Sequence, residues 1–186
     1  MSIAAAFAAD KEAPFKAAPA ASYAHHQQNG DVTIGVDPYA SGEKIKTAFG
    51  KLDPYQQGVL PVLVVIQNDG KETIRLDRLK VEYVGPSGTR VLATPAKDVR
   101  YTRGPDRPSA VPGPLGNIKV HSKKNPLDAW EIEGRGFAAQ MLPAGQSASG
   151  FFYFQTGLET GATIYINGMS EAKSGKELFY FEVPLQ

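Results

Sequence analysis

The segment Gly145-Gln146-Ser147-Ala148-Ser149 comes within one residue of the G-x-S-x-G pattern of a nucleophile elbow. Such an elbow holds its serine on a strained turn between a buried strand and a helix. Here Ser149 replaces the second glycine, and the aromatic run that follows, Gly150 to Phe154, has no helical period. Pro143 and Gly145 favour an ordinary turn before a strand instead. We therefore expect Ser147 to be a turn residue and the chain to have no catalytic residue.

Two further groups could in principle do chemistry. His25 and His26 could bind a metal, but no third ligand and no H-x-x-x-H spacing accompanies them. Glu131 and Glu133 would share one face of an extended segment, as an acid/base pair requires. Their alternation about Ile132 is more typical of the solvent side of a strand. The chain has no cysteine, which excludes thiolate ligands and disulfides. The sequence predicts neither a metal nor a cofactor.

A basic segment is the most informative charged feature. Residues 97–124 carry seven basic and two acidic residues, a net charge of +5, whereas the whole chain carries +1. Binding groups often lie on long loops of this kind. We expect either a solubilising loop or a site for an acidic protein, anionic glycan or lipid headgroup. Nucleic acid is not expected, because few aromatics interleave the cations. The candidate binding residues are Arg100, Tyr101, Arg103, Arg107, Lys119, Lys123, Lys124 and Trp130.

The first thirty residues are rich in alanine and poor in large apolar side chains, which predicts a flexible arm. Ala6-Phe7-Ala8 has the A-x-A form of a signal-peptidase site, so the arm could be a signal-peptide remnant. We expect the protein to be extracytoplasmic: periplasmic, at the cell surface or secreted. Phe7, Phe15 and Tyr23 are candidate anchors that could dock the arm on an edge strand of a neighbouring subunit. A loose tail is the alternative.

From Asp31 onward, short alternating segments separated by Gly and Pro turns predict β-strands. The run 59–66 is apolar on both faces and therefore central, and 41–50 predicts one short helix between Ser41 and Gly50. Val62, Val64 and Ile66 should be buried. Alternation predicts that Phe152, Phe154, Ile164, Ile166, Phe179 and Phe181 are also buried, and that Tyr153, Tyr165 and Tyr180 face outward, where they could bind sugar or a partner.

Two segments carry a resemblance to a known class of protein. Leu142, a Pro/Gly turn and then Gly150-x-x-x-Phe154 resemble the late corner of uncharacterised bacterial exported immunoglobulin-like domains. The run 61–68, followed by Ile74-Arg75-Leu76, is similar to their early strand pair. The resemblance covers residues 31–184 and implies an immunoglobulin-like β-sandwich, with no catalytic residue carried over.

These observations predict an all-β, immunoglobulin-like β-sandwich of about eight strands with one short helix and a long basic loop. It would span residues 31–186, with an insertion at 95–128, after the arm of residues 1–30. No apolar run reaches the roughly 18 residues of a membrane helix. The expected function is a non-enzymatic exported structural or protein-interaction module of the cell envelope or exterior, with self-assembly through the arm as one route. The alternative is a module that binds an anionic glycan or other acidic ligand through residues 97–124.

Overall fold

The chain folds into antiparallel strands, as its alternating apolar pattern requires. The computed structural model describes residues 15–102, 109–112, 118–121 and 125–185. Two α-helices, α1 (Gly42–Phe49) and α2 (Trp130–Arg135), lie in these ranges. The strands there are β1 (His25–Asn29), β2 (Val32–Pro38), β3 (Leu60–Asn68), β4 (Ile74–Arg75), β5 (Lys80–Val84), β6 (Arg90–Leu92), β7 (Ser109–Pro112), β8 (Ile118–His121), β9 (Met141–Leu142), β10 (Ser147–Phe154), β11 (Thr163–Asn167), β12 (Ser170–Glu171) and β13 (Phe181–Pro184).

Two four-stranded antiparallel sheets carry the fold. The central sheet has the order β1-β2-β3-β10, and the facing sheet has the order β13-β11-β5-β6. A third, smaller sheet has the order β12-β4-β9, and β7 and β8 form a hairpin. The all-β prediction is confirmed. The strands outnumber those predicted because β1 and the hairpin lie in segments predicted to be arm and loop, and β9 and β12 are too short to show a pattern.

The main core lies between the central and facing sheets. Val62, Val64 and Ile66 of β3 point into it and are fully buried, together with Phe154 of β10. Ile164 and Ile166 of β11 and Phe181 of β13 are buried there too, as the alternation predicts. Phe152 is only half-buried at the rim of this core. Phe152 is thus less buried than predicted, and Tyr153 and Phe179 differ from the prediction outright.

A second core covers the other face of the central sheet. Leu63, Val65 and Phe151 pack there against α1, α2 and residues 15–23. Tyr153 belongs to this layer and is buried, not outward-facing as predicted. Alternation gives the wrong result because β10 is buried on both faces, so neither face is marked by polar residues. Phe179 is 75% exposed because it precedes β13, outside any strand where alternation applies.

The predicted arm of residues 1–30 is wrong in its described part, because residues 15–29 belong to the domain. β1 pairs with β2 along its full length. Just before it, Ala20 lies over Gly35 of β2: a Cβ on Gly35 would stand 2.4 Å from the Ala20 carbonyl oxygen. Phe15 and Tyr23 also pack on their own chain. These two residues therefore anchor the segment on its own domain and not on a neighbouring subunit, as was predicted. Phe7 lies outside the described residues.

The predicted insertion at 95–128 also contributes to the domain. It contains a 3-10 helix at Ala96–Asp98 and the β7–β8 hairpin. Val99, Tyr101 and Leu127 are buried in the second core. These apolar residues are too widely spaced to show a strand or helix period, so the pattern predicts a loop.

The turn that resembles a nucleophile elbow is fixed by one buried amide. Asn68, at the end of β3, is 1% exposed. Its Nδ2 donates to the carbonyl oxygens of Glu72 at 2.8 Å, Leu142 at 3.1 Å and Pro143 at 3.2 Å. Its backbone carbonyl accepts from the N–H of Gly145 at 2.8 Å, and that glycine has φ +71°. The predicted Pro143–Gly145 turn is confirmed, and exposed Ser147 simply begins β10.

We predict that Asn68→Ala lowers the free energy of unfolding by about 2–4 kcal/mol, because it leaves several buried polar groups without partners. Ser147→Ala, on the exposed side of the same turn, should cost at most about 1 kcal/mol. Urea denaturation of both variants measures the difference. Equal stabilities would show that Asn68 does not hold the turn.

Candidate functional site

Helix α2 is held on the outer face of the central sheet by one buried side chain and one hydrogen bond. Ile132 is fully buried in the second core. The hydroxyl of Tyr153 donates to the Ile132 carbonyl oxygen at 2.7 Å. The extended arrangement considered for Glu131 and Glu133 is therefore wrong. Alternation about a single isoleucine is too short to distinguish a strand from a helical turn.

The chain leaves α2 across the edge of β10. Gly136 forms a parallel bridge with Phe151, and the N–H of Phe137 donates to the Phe151 carbonyl oxygen at 3.1 Å. This crossing requires a glycine at position 150, because a Cβ there would stand 2.4 Å from the Phe137 Cα. Gly150 thus lets the end of α2 lie directly against the sheet edge. The same crossing covers an edge that would otherwise be open.

A pocket of about 310 Å³ opens between α2, β10 and Phe15, the first described residue. We call it the Arg135 pocket. Trp130 is 71% exposed at its mouth. Its ring lies along the helix next to Gly134, where a Cβ would stand 3.5 Å from Trp130 Cε3. The other residues that line the pocket are Phe15, Arg135, Gly136, Ser149 and Gly150.

The Arg135 guanidinium is surrounded by aromatic rings. Its Cζ lies 5.7 Å from the ring centre of Phe15, 6.0 Å from that of Phe49 and 5.9 Å from that of Trp130. Its Nε and Nη1 are buried and have no acceptor among the described residues. Ring faces attract a cation, but they do not replace the hydrogen bonds that buried N–H groups lose on leaving water. The pocket therefore presents a positive charge with unused donors.

Two tyrosines near Arg135 do not neutralise it. Burial raises the pKa of Tyr39 well above its ordinary value, and the nearby Asp37 carboxylate raises it further. Burial likewise raises the pKa of Tyr153. Arg135 opposes both shifts, yet the cost of burying a phenolate outweighs its attraction. Both hydroxyls stay protonated at neutral pH, so no phenolate pairs with the guanidinium.

The structure places the predicted binding residues in different surroundings. Trp130 lines the Arg135 pocket. Tyr101 is buried in the second core. Arg100 is exposed, and its Nη1 donates to the carbonyl oxygens of Lys97 and Val99 at 3.2 and 2.9 Å. Lys119 lies on β8. Arg103, Arg107, Lys123 and Lys124 lie outside the described residues.

Sequence reasoning missed Arg135. It lies beyond the basic segment, in a Glu-Ile-Glu-Gly-Arg-Gly run where a single arginine forms no pattern. Only the packing of α2 brings it to Phe15 and Phe49, which are distant in sequence. Its proximity to Trp130, the chain's one tryptophan, is the signal that could have pointed to it.

The histidines and acidic residues that the structure describes do not converge on a metal-binding geometry. His25 and His26 are consecutive on β1, so their side chains point to opposite faces. His26 Nδ1 lies 2.7 Å from the Tyr23 carbonyl oxygen. Across the described ranges, no three histidine or acidic side chains are grouped as metal ligands. None of the helices described is long and apolar enough to cross a membrane.

The sequence matches no protein-family model. No curated protein resembles it in sequence either. Among solved structures, the yjhA protein from Bacillus subtilis has a TM-score of 0.44 and 13% identity, over 88% of this chain and 98% of that one. A functionally unknown protein from Listeria monocytogenes has a TM-score of 0.38 and 13% identity, over 86% and 79%. A DUF4426 family protein from Pseudomonas aeruginosa has a TM-score of 0.32 and 10% identity, over 86% and 91%. Likeness at this level is too low to assign a fold family or a function.

We predict that Gly150→Ala displaces α2 and lowers the free energy of unfolding by about 1–3 kcal/mol, as overpacking does. Gly134→Ala is the matched control: its added methyl makes ordinary contact with Trp130, and alanine favours a helix by up to about 1 kcal/mol over glycine. Thermal denaturation and the fluorescence of Trp130 measure both effects. Unchanged stability and emission in Gly150→Ala would contradict the described crossing.

Proposed function

We propose that this protein is a non-enzymatic binding module that takes an acidic group of its ligand at Arg135. One observation carries the proposal: the buried Nε and Nη1 of Arg135 have no acceptor among the described residues, although they lie at a pocket with an exposed tryptophan. Buried polar groups almost always have partners, and an exception needs an explanation. A bound acidic group supplies one.

The chemistry of the pocket fits a carboxylate. A guanidinium presents its N–H groups in adjacent pairs, which match the two oxygens of a carboxylate. Nε and Nη1 are closed to solvent in this structure, so an acceptor reaches them only when the Arg135 side chain shifts within the pocket. The volume of about 310 Å³ lies at the small end of the range for ligand pockets. The Trp130 ring offers a flat apolar surface beside the charge.

The basic segment 97–124 supports the same class of ligand. Its net charge of +5 would attract acidic molecules over a distance, which accelerates encounter. The segment ends six residues before Trp130 in the chain. In this proposal the segment steers the ligand and Arg135 binds it. A protein partner with an acidic side chain would satisfy Arg135 in the same way as an anionic glycan.

We also propose that the fold is immunoglobulin-like. Strand order supports this: β2, β3 and β10 correspond to strands A, B and E of such a sandwich, and β13, β11, β5 and β6 correspond to G, F, C and C′. Strand D has no counterpart among the described strands of the central sheet. The extracytoplasmic location stays a prediction, because residues 1–14 lie outside the described residues.

The test uses Trp130 as a built-in reporter, since the chain has one tryptophan. We expect digalacturonate to change its fluorescence in a saturable manner, and the dimethyl ester of the same sugar to have little effect. Arg135→Met should weaken binding by about 10–100-fold, the range expected for a charged hydrogen-bonded contact. Arg75→Met is the control, because that arginine is exposed and paired with Asp77 at 2.7 Å.

Stability separates a binding role of Arg135 from a structural one. Because Arg135→Met removes two buried N–H groups that have no acceptor among the described residues, its free energy of unfolding should be unchanged or higher. If Arg135 served only to hold α2 through its aromatic neighbours, the variant would be less stable. A destabilised variant that still binds digalacturonate like the wild type would overturn the proposal.

A further inference from the structure

Three cavities of the surface share residues from one to the next. Gly136 lines both the Arg135 pocket and a second cavity of about 260 Å³, which we call the seam cleft. Lys80 lines both the seam cleft and a third cavity of about 470 Å³, which we call the tyrosine platform. The three cavities are therefore adjacent in series: the first lies beside α2, and the third is lined by Tyr165 of β11 in the facing sheet.

The seam cleft lies where the edges of the two large sheets meet. The N–H of Thr94, just after β6, donates to the Tyr153 carbonyl oxygen at 2.7 Å, which is a single bridge between the sheets. Phe137 stacks on Phe152 with ring centres 5.2 Å apart. These two rings and Leu92, which is 59% exposed, give the cleft an apolar lining. The half-burial of Phe152 follows from its position in this cleft.

The tyrosine platform is a preformed aromatic surface. Tyr165 of β11 and Tyr180 stack with ring centres 5.3 Å apart. Arg90 lies 5.0 Å from the Tyr165 ring centre and is itself held by Glu82 at 2.6 Å. Tyr180 is 54% exposed and Phe179 is 75% exposed. The stacked pair has its orientation fixed before any ligand arrives, which lowers the entropic cost of binding.

Two cations stand beside this platform. Arg78 and Lys80 line it together with one acidic residue, Glu177, and none of the three belongs to an ion pair found among the described residues. The chain at Arg78 is fixed by Gly168, which has φ +85° and stands so close that a Cβ would lie 2.0 Å from the Arg78 carbonyl oxygen. The platform thus resembles the Arg135 pocket in having exposed aromatic rings next to positive charge, with two cations against one carboxylate.

We propose that the Arg135 pocket, the seam cleft and the tyrosine platform form one track for an extended acidic glycan chain. This inference rests on the proposed function and adds the class and length of the ligand. A sugar ring has apolar faces that stack on aromatic rings, and a rim of hydroxyl and carboxylate groups that bind cations. The track has aromatic rings and cations at both ends and an apolar cleft between them. It therefore matches a polymer in which apolar sugar faces and acidic groups recur along the chain.

A chain that contacts several sites in series gains affinity with length. Once one sugar is bound at Arg135, the neighbouring sugars reach the seam cleft and the platform as an intramolecular step. Gains of 10²–10⁴-fold are typical when both ends of a ligand engage. A ligand confined to the Arg135 pocket would gain nothing beyond its first units.

The experiment measures the affinity of the full chain for galacturonate oligomers of increasing length, from the dimer to the dodecamer, by calorimetry. We expect affinity to rise at least tenfold across the series. Phe179→Ala and Lys80→Ala should abolish this rise and leave dimer affinity unchanged. Phe179 is exposed, so its loss should not affect folding. Lys44→Ala is the matched control, because that lysine pairs with Asp37 and lines none of the three cavities.

The outcomes separate the two proposals. Dimer binding that depends on Arg135, with affinity independent of length, would overturn the track and leave the proposed function standing. Failure of every galacturonate oligomer and of a twelve-residue oligoglutamate to bind the wild type would overturn both. A twelve-residue oligoglutamate that binds as tightly as the dodecamer, and equally well to Phe179→Ala, would replace the glycan with an acidic protein segment. Length-dependent binding that Phe179→Ala and Lys80→Ala abolish supports the track.

Discussion

Burial of the central sheet on both faces is the constraint on which the rest of the structure depends. Alternate residues of β3 enter two different cores, Val64 on one side and Val65 on the other. One face is covered by the facing sheet, as in any two-layer sandwich. The other face is equally apolar and would aggregate if exposed to solvent. A third layer, made of α1, α2 and residues 15–23, must therefore lie over it.

This third layer explains two glycines in the middle of strands, where glycine is ordinarily unfavourable. Gly35 admits the backbone of Ala20, and Gly150 admits the backbone of Phe137. Each lets a covering segment approach more closely than any side chain would permit. The same close approach brings α2 to the edge of β10 and forms the Arg135 pocket. The candidate site is thus a consequence of how the second face of the sheet is covered.

Arg135 is an exception to the electrostatic pattern of the molecule. The ion pairs of Lys44, Arg75 and Arg90 lie at the surface, where each contributes little to stability. Arg135 instead lies among rings with buried donors unused. Buried donors without an acceptor cost stability, and in the proposed function a bound acidic group supplies the acceptor. This contrast, more than the number of basic residues, distinguishes Arg135 from the other cations described.

Local sequence patterns were sufficient to predict the β class, the central position of β3, the helix α1 between Ser41 and Gly50 and the turn at Pro143–Gly145. Each of these depends on local periodicity or on backbone freedom, which neighbouring residues specify. Val62, Val64, Ile66 and Phe154 were predictable for the same reason. Trp130 was named as a candidate binding residue, but its position beside Arg135 was not predicted.

The remaining features depend on contacts between segments that are distant in sequence. Alternation could not place Tyr153, because a strand with two buried faces has no polar side. Composition could not show that residues 15–29 belong to the domain, because small residues such as Ala20 are buried by close backbone approach and not by hydrophobic bulk. Arg135 became a site through Phe15 and Phe49, which are far from it in sequence. Contacts between distant segments form only when the third layer packs, and no local pattern encodes them.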